Sequence, residues 1–392
     1  MRLLTVFGTR PEAIKLAPVL LALGEEPLIE SLVCVTGQHR ELLDQALALF
    51  GIAPDRDLRL MEGGQGLNAL AAAALAGIDA VIASTRPDRV LVQGDTTTAF
   101  AAAFAAFHRG IPVAHVEAGL RTYSPLAPWP EEANRRAIAL VSDLHFAPTA
   151  AARDNLLAER LHGEVFVTGN SGIDALQLVV RRLSLDEAFR RAAEAELPPP
   201  DPSRRLLLVT GHRREALGPA FAGLCEALSE LAVRDDVEIV FPLHPNPAFR
   251  APAEAALARH PSVRLLPPLG PASFIRQMQR ADLILTDSGG VQEEAVALGK
   301  PVLVSRDVTE RAEGICTRAA RIVGTDPQRL VRELSLLLDD PDTNSRFPQH
   351  RNVYGDGRAA FRIVAALVGR PFDEFAPAVP DGPLPRVTAA AE

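Results

Sequence analysis

The sequence predicts an α/β protein with two domains, each built on a parallel sheet, and three observations predict it. Short apolar runs alternate with segments of helical period along most of the chain. A proline-rich stretch, ELPPPDPSRR from Glu196 to Arg205, splits that alternation into two halves, because its prolines continue neither a helix nor a central strand. Polar motifs gather where the apolar runs end, which is the edge at which open parallel sheets bind ligands. With 392 residues the chain can hold two or three domains of roughly 150 residues each.

In the first half the expected strands are LLTVFG from Leu3, SLVCVTG from Ser31, VLVQGD from Val90, IPVAHVE from Ile111 and EVFVTGN from Glu164. In the second half they are LLLVTGH from Leu206, VEIVFPLH from Val237, SVRLLPP from Ser262, ADLILTD from Ala281, PVLVS from Pro301 and AARIVG from Ala319. The expected boundary falls at Gly169 and Asn170, giving domains over 1–169 and 170–365, with a last helix near 357–369 packing back on the first domain. Residues 371–392 are rich in proline and alanine without periodicity, and are expected to be a poorly ordered tail. Two such domains facing each other would form a central cleft.

Composition removes several function classes. The net charge is -8, with 41 basic and 49 acidic residues and no basic run, which speaks against nucleic-acid or anionic-membrane partners. The opening MRLLTVFG is too short for a signal peptide, and no run is expected to reach a membrane span of roughly 18 apolar residues. Cys34, Cys225 and Cys316 are isolated and lack a CxxC, so neither a disulfide framework nor a zinc site is indicated and a reducing cytoplasm is expected. Only Lys15 and Lys300 among the 41 basic residues are lysines, so a lysine kept in an arginine-rich chain invites a functional question.

Several strand-end motifs could carry chemistry. In TDSGGVQEE, Ser288, Gly289 and Gly290 precede a helix whose N-terminus suits a phosphate, although an ordinary N-cap explains SGG equally well. GTRPE, Gly8 to Glu12, is not GxGxxG, which argues against a dinucleotide cofactor; Pro11 and Glu12 are helix-start signals, while Arg10 has no such structural excuse. Lys15 lies one turn into that helix, on the face that can look back at the strand edge. Asp95, Glu117 and Glu131 sit at loop ends. Asp95 could cap the next helix, and Glu131 with Arg135 is spaced for a surface ion pair at i, i+4, yet three acids on one strand edge favour acid-base chemistry. His212 and Arg213 in GHRRE suit a pyrophosphate, and His244 in PLHPNP reads as structural. Without HExxH or clustered ligands a metal centre has little support.

Taken together, FGTRPEAIKLAPV, VTGQHRELLDQ, VLVQGDTTT, IPVAHVEAGLRT, WPEEANRR, TGNSGIDAL, TGHRRE, PLHPNP and LILTDSGGVQEEA resemble the non-hydrolysing UDP-N-acetylglucosamine 2-epimerases, in family order along nearly the whole chain. The resemblance implies two Rossmann-like domains of GT-B type, a homodimer and no cofactor. It implies interconversion of UDP-N-acetylglucosamine and UDP-N-acetylmannosamine for cell-surface polysaccharide. It further implies that Lys15, Asp95, Glu117, Glu131 and Arg135 surround the sugar, and that Arg10, His212, Arg213, Phe274, Ser288, Gly289, Gly290, Glu294 and Arg311 hold UDP. Phe274 would border the uracil and Glu294 the ribose hydroxyls. Gln38, Arg40 and His244 would touch a second substrate molecule acting as activator. Two alternatives remain from the residues alone: a GT-B glycosyltransferase using a UDP-sugar donor, and a sugar-nucleotide-binding regulator without catalysis.

Overall fold

The computed structural model describes residues 1–37, 40–60, 65–126, 128–211, 217–307, 309, 311–340, 347 and 352–377. The chain divides into two compact units, Met1–Ala175 with Gly355–Pro377, and Leu176–Tyr354.

The first unit alternates strand and helix in the order β1 (Arg2–Phe7), α1 (Arg10–Gly24), β2 (Glu30–Val35), α2 (Arg40–Phe50), β3 (Arg56–Asp57), α3 (Leu67–Thr85) and β4 (Arg89–Gln93). It continues through α4 (Thr97–His108), β5 (Val113–Val116), α5 (Glu131–Val141), β6 (Leu144–Ala147), α6 (Ala150–Ala158), β7 (Glu164–Val167) and the start of α7 (Ser171–Leu185). Its strands form one parallel sheet ordered β3-β2-β1-β4-β5-β6-β7, so the order reverses between β1 and β4. Both faces are covered, which is why the strands read as unbroken apolar runs. On one side Leu16, Val19, Leu20 and Leu23 of α1 pack with Phe7, Val33 and Phe146; on the other Ala74, Ile78 and Ile82 of α3 and the alanines of α4 pack with Leu4, Val6 and Val92.

The second unit contains α8 (Glu187–Ala195), β8 (Arg205–Thr210), α9 (Pro219–Leu231), β9 (Val237–Pro242), α10 (Pro247–Leu257), β10 (Val263–Leu266) and α11 (Pro271–Arg280). It ends with β11 (Leu283–Thr286), α12 (Gly289–Ala297), β12 (Val302–Val304), α13 (Ala312–Cys316), β13 (Ala320–Ile322) and α14 (Pro327–Leu338). Its parallel sheet runs β10-β9-β8-β11-β12-β13 and reverses between β8 and β11. Phe221, Leu224 and Leu228 of α9, Phe249 of α10 and Leu330, Leu334 and Leu337 of α14 cover one face. Helix starts follow local chemistry: Asp326 caps α14 by accepting from Arg329 N at 2.8 Å, with Pro327 as its first residue.

Several expectations are corrected. β3 and β6 had no counterpart in the sequence reading, because a two-residue strand and the four-residue LHFA are too short to announce themselves. The break between units is not at Gly169 and Asn170 but inside the continuous helix α7, after Ala175. The second unit stops at Tyr354 rather than at residue 365. The helix looked for near 357–369 is α15 (Ala359–Leu367), whose Ile363, Val364 and Leu367 join the core of the first unit beside α1. The tail is fixed through residue 377: Phe375 is buried and its N donates to Val167 O at 2.8 Å, and Phe372 stacks near Phe166. Residues 378–392 lie outside the described residues. Finally, α3 has 19 residues and a mean hydropathy of 1.7, enough in length and composition to cross a membrane; Leu70, Ala74, Ile78, Val81 and Ile82 of this helix are buried in the first unit.

Gly119 shows how tightly the strand-end loops are drawn in. Its φ is +91°, and a Cβ there would stand 2.1 Å from the carbonyl oxygen of Ala152 in α6. Gly119→Ala is expected to cost about 3 kcal/mol or more of unfolding free energy in a urea titration; an unchanged midpoint would show that α6 can retreat freely.

Candidate active site

The loops after β1 and β4 meet at the point where the strand order reverses, and one buried carboxylate joins them. Glu12, 2% exposed, completes a capping box with Thr9 at the start of α1. Its Oε2 accepts from Gly8 N (3.0 Å), Thr9 N (2.8 Å) and Thr9 Oγ1 (2.8 Å), and its Oε1 accepts from Thr96 Oγ1 at 2.7 Å. Burial pushes its pKa up, against the pull of these hydrogen bonds. Thr96, not Asp95, caps α4, accepting from Ala99 N at 3.0 Å. Asp95 is thereby left for other work.

Four side chains on three elements fix the Asp95 loop. Besides Glu12 on α1, His115 of β5 bonds Gly94 O at 2.7 Å, and Asn134 of α5 donates its Nδ2 to Asp95 O at 2.9 Å. Arg135 of α5 sends Nε to Asp95 Oδ2 at 3.0 Å and also bonds that oxygen through Nη2. The sequence spacing suggests that Arg135 lies on the surface; it is instead buried, and it pairs with Asp95 and Glu132. Glu132, fully buried, accepts from Arg135 Nη1 at 3.3 Å and from the backbone N of Thr122 and Tyr123 at 3.1 and 3.0 Å. It ties the loop after β5 to the helix that carries Arg135. Glu131 stands as the first residue of α5, half-buried.

Glu117 ends β5 with φ +63°, a left-handed backbone uncommon for a residue with a side chain. Its Oε1 pairs with Lys15 Nζ and its Oε2 accepts from Gln93 Nε2 at the end of β4, with the lysine and glutamate side chains 17% and 10% exposed. Lys15 can lie there because Gly172 leaves room: a Cβ at Gly172 would sit 3.5 Å from Lys15 Cγ. The two carboxylates differ in a way that matters for chemistry. Both oxygens of Glu117 are engaged by donors, whereas the recorded side-chain bonds of Asp95 all fall on Oδ2, leaving Oδ1 with none among the described residues.

In the second unit, α12 begins right after β11. Ser288 occupies its N-cap without a side-chain cap bond to the first turn, which begins at Gly289 and Gly290. Arg311 is buried, lies against Gly289, and pairs through Nε with Glu293 Oε1 at 2.8 Å. Thr309 holds its backbone N at 3.2 Å and also bonds Gln292 at 2.9 Å. Tyr354 OH donates to Arg311 O at 3.3 Å and accepts from Gly314 N at 2.9 Å. Glu294 and Phe274 are half-buried on α12 and α11. Across the reversal of this sheet Thr210 and Thr286 share a hydroxyl bond at 2.6 Å.

The structure thus pairs Lys15 with Glu117 and Arg135 with Asp95 at one sheet edge, and sets Arg311 against Gly289 beside Ser288. Arg10 opens α1, half-buried, and Arg40 opens α2. His244 is exposed and accepts from Asn246 N at 3.1 Å. Gln38, His212 and Arg213 lie outside the described residues. Sequence reasoning passed over Gln93, Glu132 and Glu293, and took Glu12 for a helix start alone; a polar residue closing an apolar strand, as Gln93 does, is the signal that could have found one of them. Lys300 donates to Ala281 O at 2.9 Å, a structural role. Among the described residues no group of three or more His, Cys, Asp or Glu is arranged to hold a metal.

Because a carbonyl only accepts, His115 carries its proton on Nε2, and burial lowers its pKa from 6.5 to about 3. The unfolded chain therefore binds a proton that the folded chain refuses, so the stability tied to this side chain is complete above pH 6.5 and lost as pH falls toward 3. His115→Gln should flatten that acid limb when unfolding free energy is measured by urea titration across the same range. An acid limb as steep as in the parent would assign the slope to other groups.

With this geometry in hand, comparison with known proteins is specific. A family model described as UDP-N-acetylglucosamine 2-epimerase matches residues 21–368. The UDP-N-acetylglucosamine 2-epimerase of Escherichia coli (strain K12) is 48% identical over 369 residues, covering 94% of this chain and 98% of that one. Among solved structures, the UDP-GlcNAc 2-epimerase of Neisseria meningitidis bound to UDP-GlcNAc is 43% identical, with a TM-score of 0.91 over 94% of this chain and 100% of that one. The Methanocaldococcus jannaschii enzyme in complex with UDP-GlcNAc and UDP is 31% identical, with a TM-score of 0.82 over 94% of this chain and 100% of that one. Two parallel α/β units, a strand-edge network of acids and a match over nearly the whole length agree: the chain belongs to the UDP-N-acetylglucosamine 2-epimerase family.

Proposed function

We propose that this protein interconverts UDP-N-acetylglucosamine and UDP-N-acetylmannosamine without hydrolysing them, in the cytoplasm, as a homodimer, and so supplies precursors for cell-surface polysaccharide. The observation that carries the reading is the unequal pair of carboxylates on the first sheet's edge, Asp95 with an oxygen left over and Glu117 with both engaged. An acid with one oxygen clear of donors is suited to move a proton at C2, and one with both oxygens engaged is suited to hold charge beside it.

In the forward half-reaction the C1–O bond breaks and its electron pair leaves on the UDP oxygen, giving C1 oxocarbenium character. A base then takes the C2 proton, and the C2–H electrons become a C1=C2 double bond. A proton delivered to the opposite face of C2, and return of the UDP oxygen to C1, complete an isomerisation with no net oxidation. Asp95 and Glu131 handle the two C2 protons in this reading, because two faces need two groups. Glu117 and Lys15 support the developing charge, and Arg135 holds the Asp95 carboxylate in place. UDP is taken up by Arg10, His212, Arg213, Ser288, Gly289, Gly290 and Arg311, whose donors stabilise the leaving pyrophosphate. Phe274 borders the uracil and Glu294 the ribose, while Gln38, Arg40 and His244 contact a second substrate molecule as activator. This chemistry needs no cofactor.

Incubation with UDP-N-acetylglucosamine alone should yield UDP-N-acetylmannosamine by proton NMR; free UDP with released sugar, or no change, would overturn the reading. In deuterium oxide, Asp95→Asn should slow deuterium entry at C2 by about 10²-fold or more, and unchanged exchange would remove Asp95 from the base role. Lys15→Arg should lower kcat at least tenfold while leaving the fold intact, since a guanidinium fork does not replace an ammonium seated against Gly172 and Glu117; full activity would make the scarcity of lysine a coincidence.

A further inference from the structure

The geometry points to Glu12 as a positioning residue for the C2 chemistry: by bridging the loop after β1 to the loop after β4, its carboxylate fixes where Lys15 and Asp95 stand relative to one another. The inference rests on the proposed epimerase reading and names a residue that this reading leaves out.

A capping box alone would need only one side of this carboxylate. Oε2 already satisfies Gly8 N, Thr9 N and Thr9 Oγ1. Oε1 is turned instead to Thr96 Oγ1 at 2.7 Å, 84 residues away in sequence and immediately after Asp95. Thr96 in turn caps α4 through Ala99 N. One buried side chain therefore joins two helix starts at the reversal between β1 and β4. Lys15 lies three positions beyond Glu12 on α1, so a turn of α1 about its axis would carry Lys15 away from Glu117. The other anchors of the Asp95 loop, His115, Asn134 and Arg135, come from β5 and α5. Among these side-chain anchors only Glu12 refers the loop back to α1. A displacement of about 1 Å at reacting groups can cost on the order of 10²-fold in rate.

The role depends on reach and on an acceptor for the Gly8 and Thr9 N–H groups, not on charge. A glutamine can keep both links, its amide oxygen accepting from the backbone and its amide nitrogen donating to Thr96 Oγ1. An alanine keeps neither. The experiment compares Glu12→Ala, Glu12→Gln, Thr96→Val and Thr96→Ser with the parent, following epimer and free UDP by proton NMR from UDP-N-acetylglucosamine. The decisive quantity is the ratio of free UDP to epimer, which does not depend on how much of each preparation is folded. Glu12→Ala and Thr96→Val should raise that ratio at least fivefold and lower kcat about tenfold or more, because UDP still departs with the C1–O electron pair while the C2 proton is left in place, and water then adds to C1 and loses a proton to give the free sugar. Glu12→Gln and Thr96→Ser should return both to within about threefold of the parent. Parent-like ratios in Glu12→Ala and Thr96→Val would overturn the inference, as would a glutamine variant as impaired as the alanine one. Should Glu12→Ala not fold, the two threonine variants decide by the same ratio. A parent protein that forms no epimer would instead overturn the function proposed above.

Discussion

A carboxylate at the end of a buried strand survives only if donors are aimed at it, and most of the first unit's construction serves that constraint. Stripping an ionised carboxylate of water without such donors costs many kcal/mol, or else protonates it. Glu12, Glu117 and Glu132 each meet the demand with donors from more than one element, and Asp95 with the guanidinium of Arg135. The donors come from α1, β4, α5 and the loop after β5. Their convergence is possible because a parallel sheet delivers all its strand ends to one edge, and the reversal between β1 and β4 opens room there.

The second unit solves a different problem with different means. The start of α12 carries no side-chain cap, and the nearby Arg311 is held in place by Glu293, Thr309 and Tyr354. Burial raises the Tyr354 phenol well above its ordinary range, so it stays a neutral donor to Arg311 O. Acids and their donors organise the sheet edge of the first unit, and a helix start with a held arginine that of the second.

How much of this was legible in the sequence follows from the range of each signal. Strands buried on both faces write themselves as apolar runs, so all six strands of the second sheet and five of the first could be read directly. LHFA was too short to stand out, and the break inside α7 is invisible because the helix does not stop there. Asp95 and Glu117 were legible as acids at strand ends. Their partners were not: the i, i+4 spacing of Glu131 and Arg135 suggests a surface pair, but the fold carries Asp95 across from 40 residues earlier to take the arginine. Glu12 looked like any first-turn acid because its distinguishing bond reaches Thr96, 84 residues on.

The return of residues 355–377 to the first unit has a consequence for how the chain comes off the ribosome. Helix α15 fills the core beside α1, Asp174 accepts the N–H groups of Ala359 and Ala360 at 3.2 and 2.8 Å, and Arg362 bonds Thr168 O at 3.1 Å. The unit that holds α1 is thus closed by a helix that follows the whole of the other unit in sequence. The described residues of the second unit form one contiguous stretch that can consolidate as it emerges, while the first waits with α1 uncovered until α15 has been made. Vectorial translation therefore makes the acid-bearing half the later to mature, and a chain cut short before α15 leaves that half open however complete its catalytic residues are.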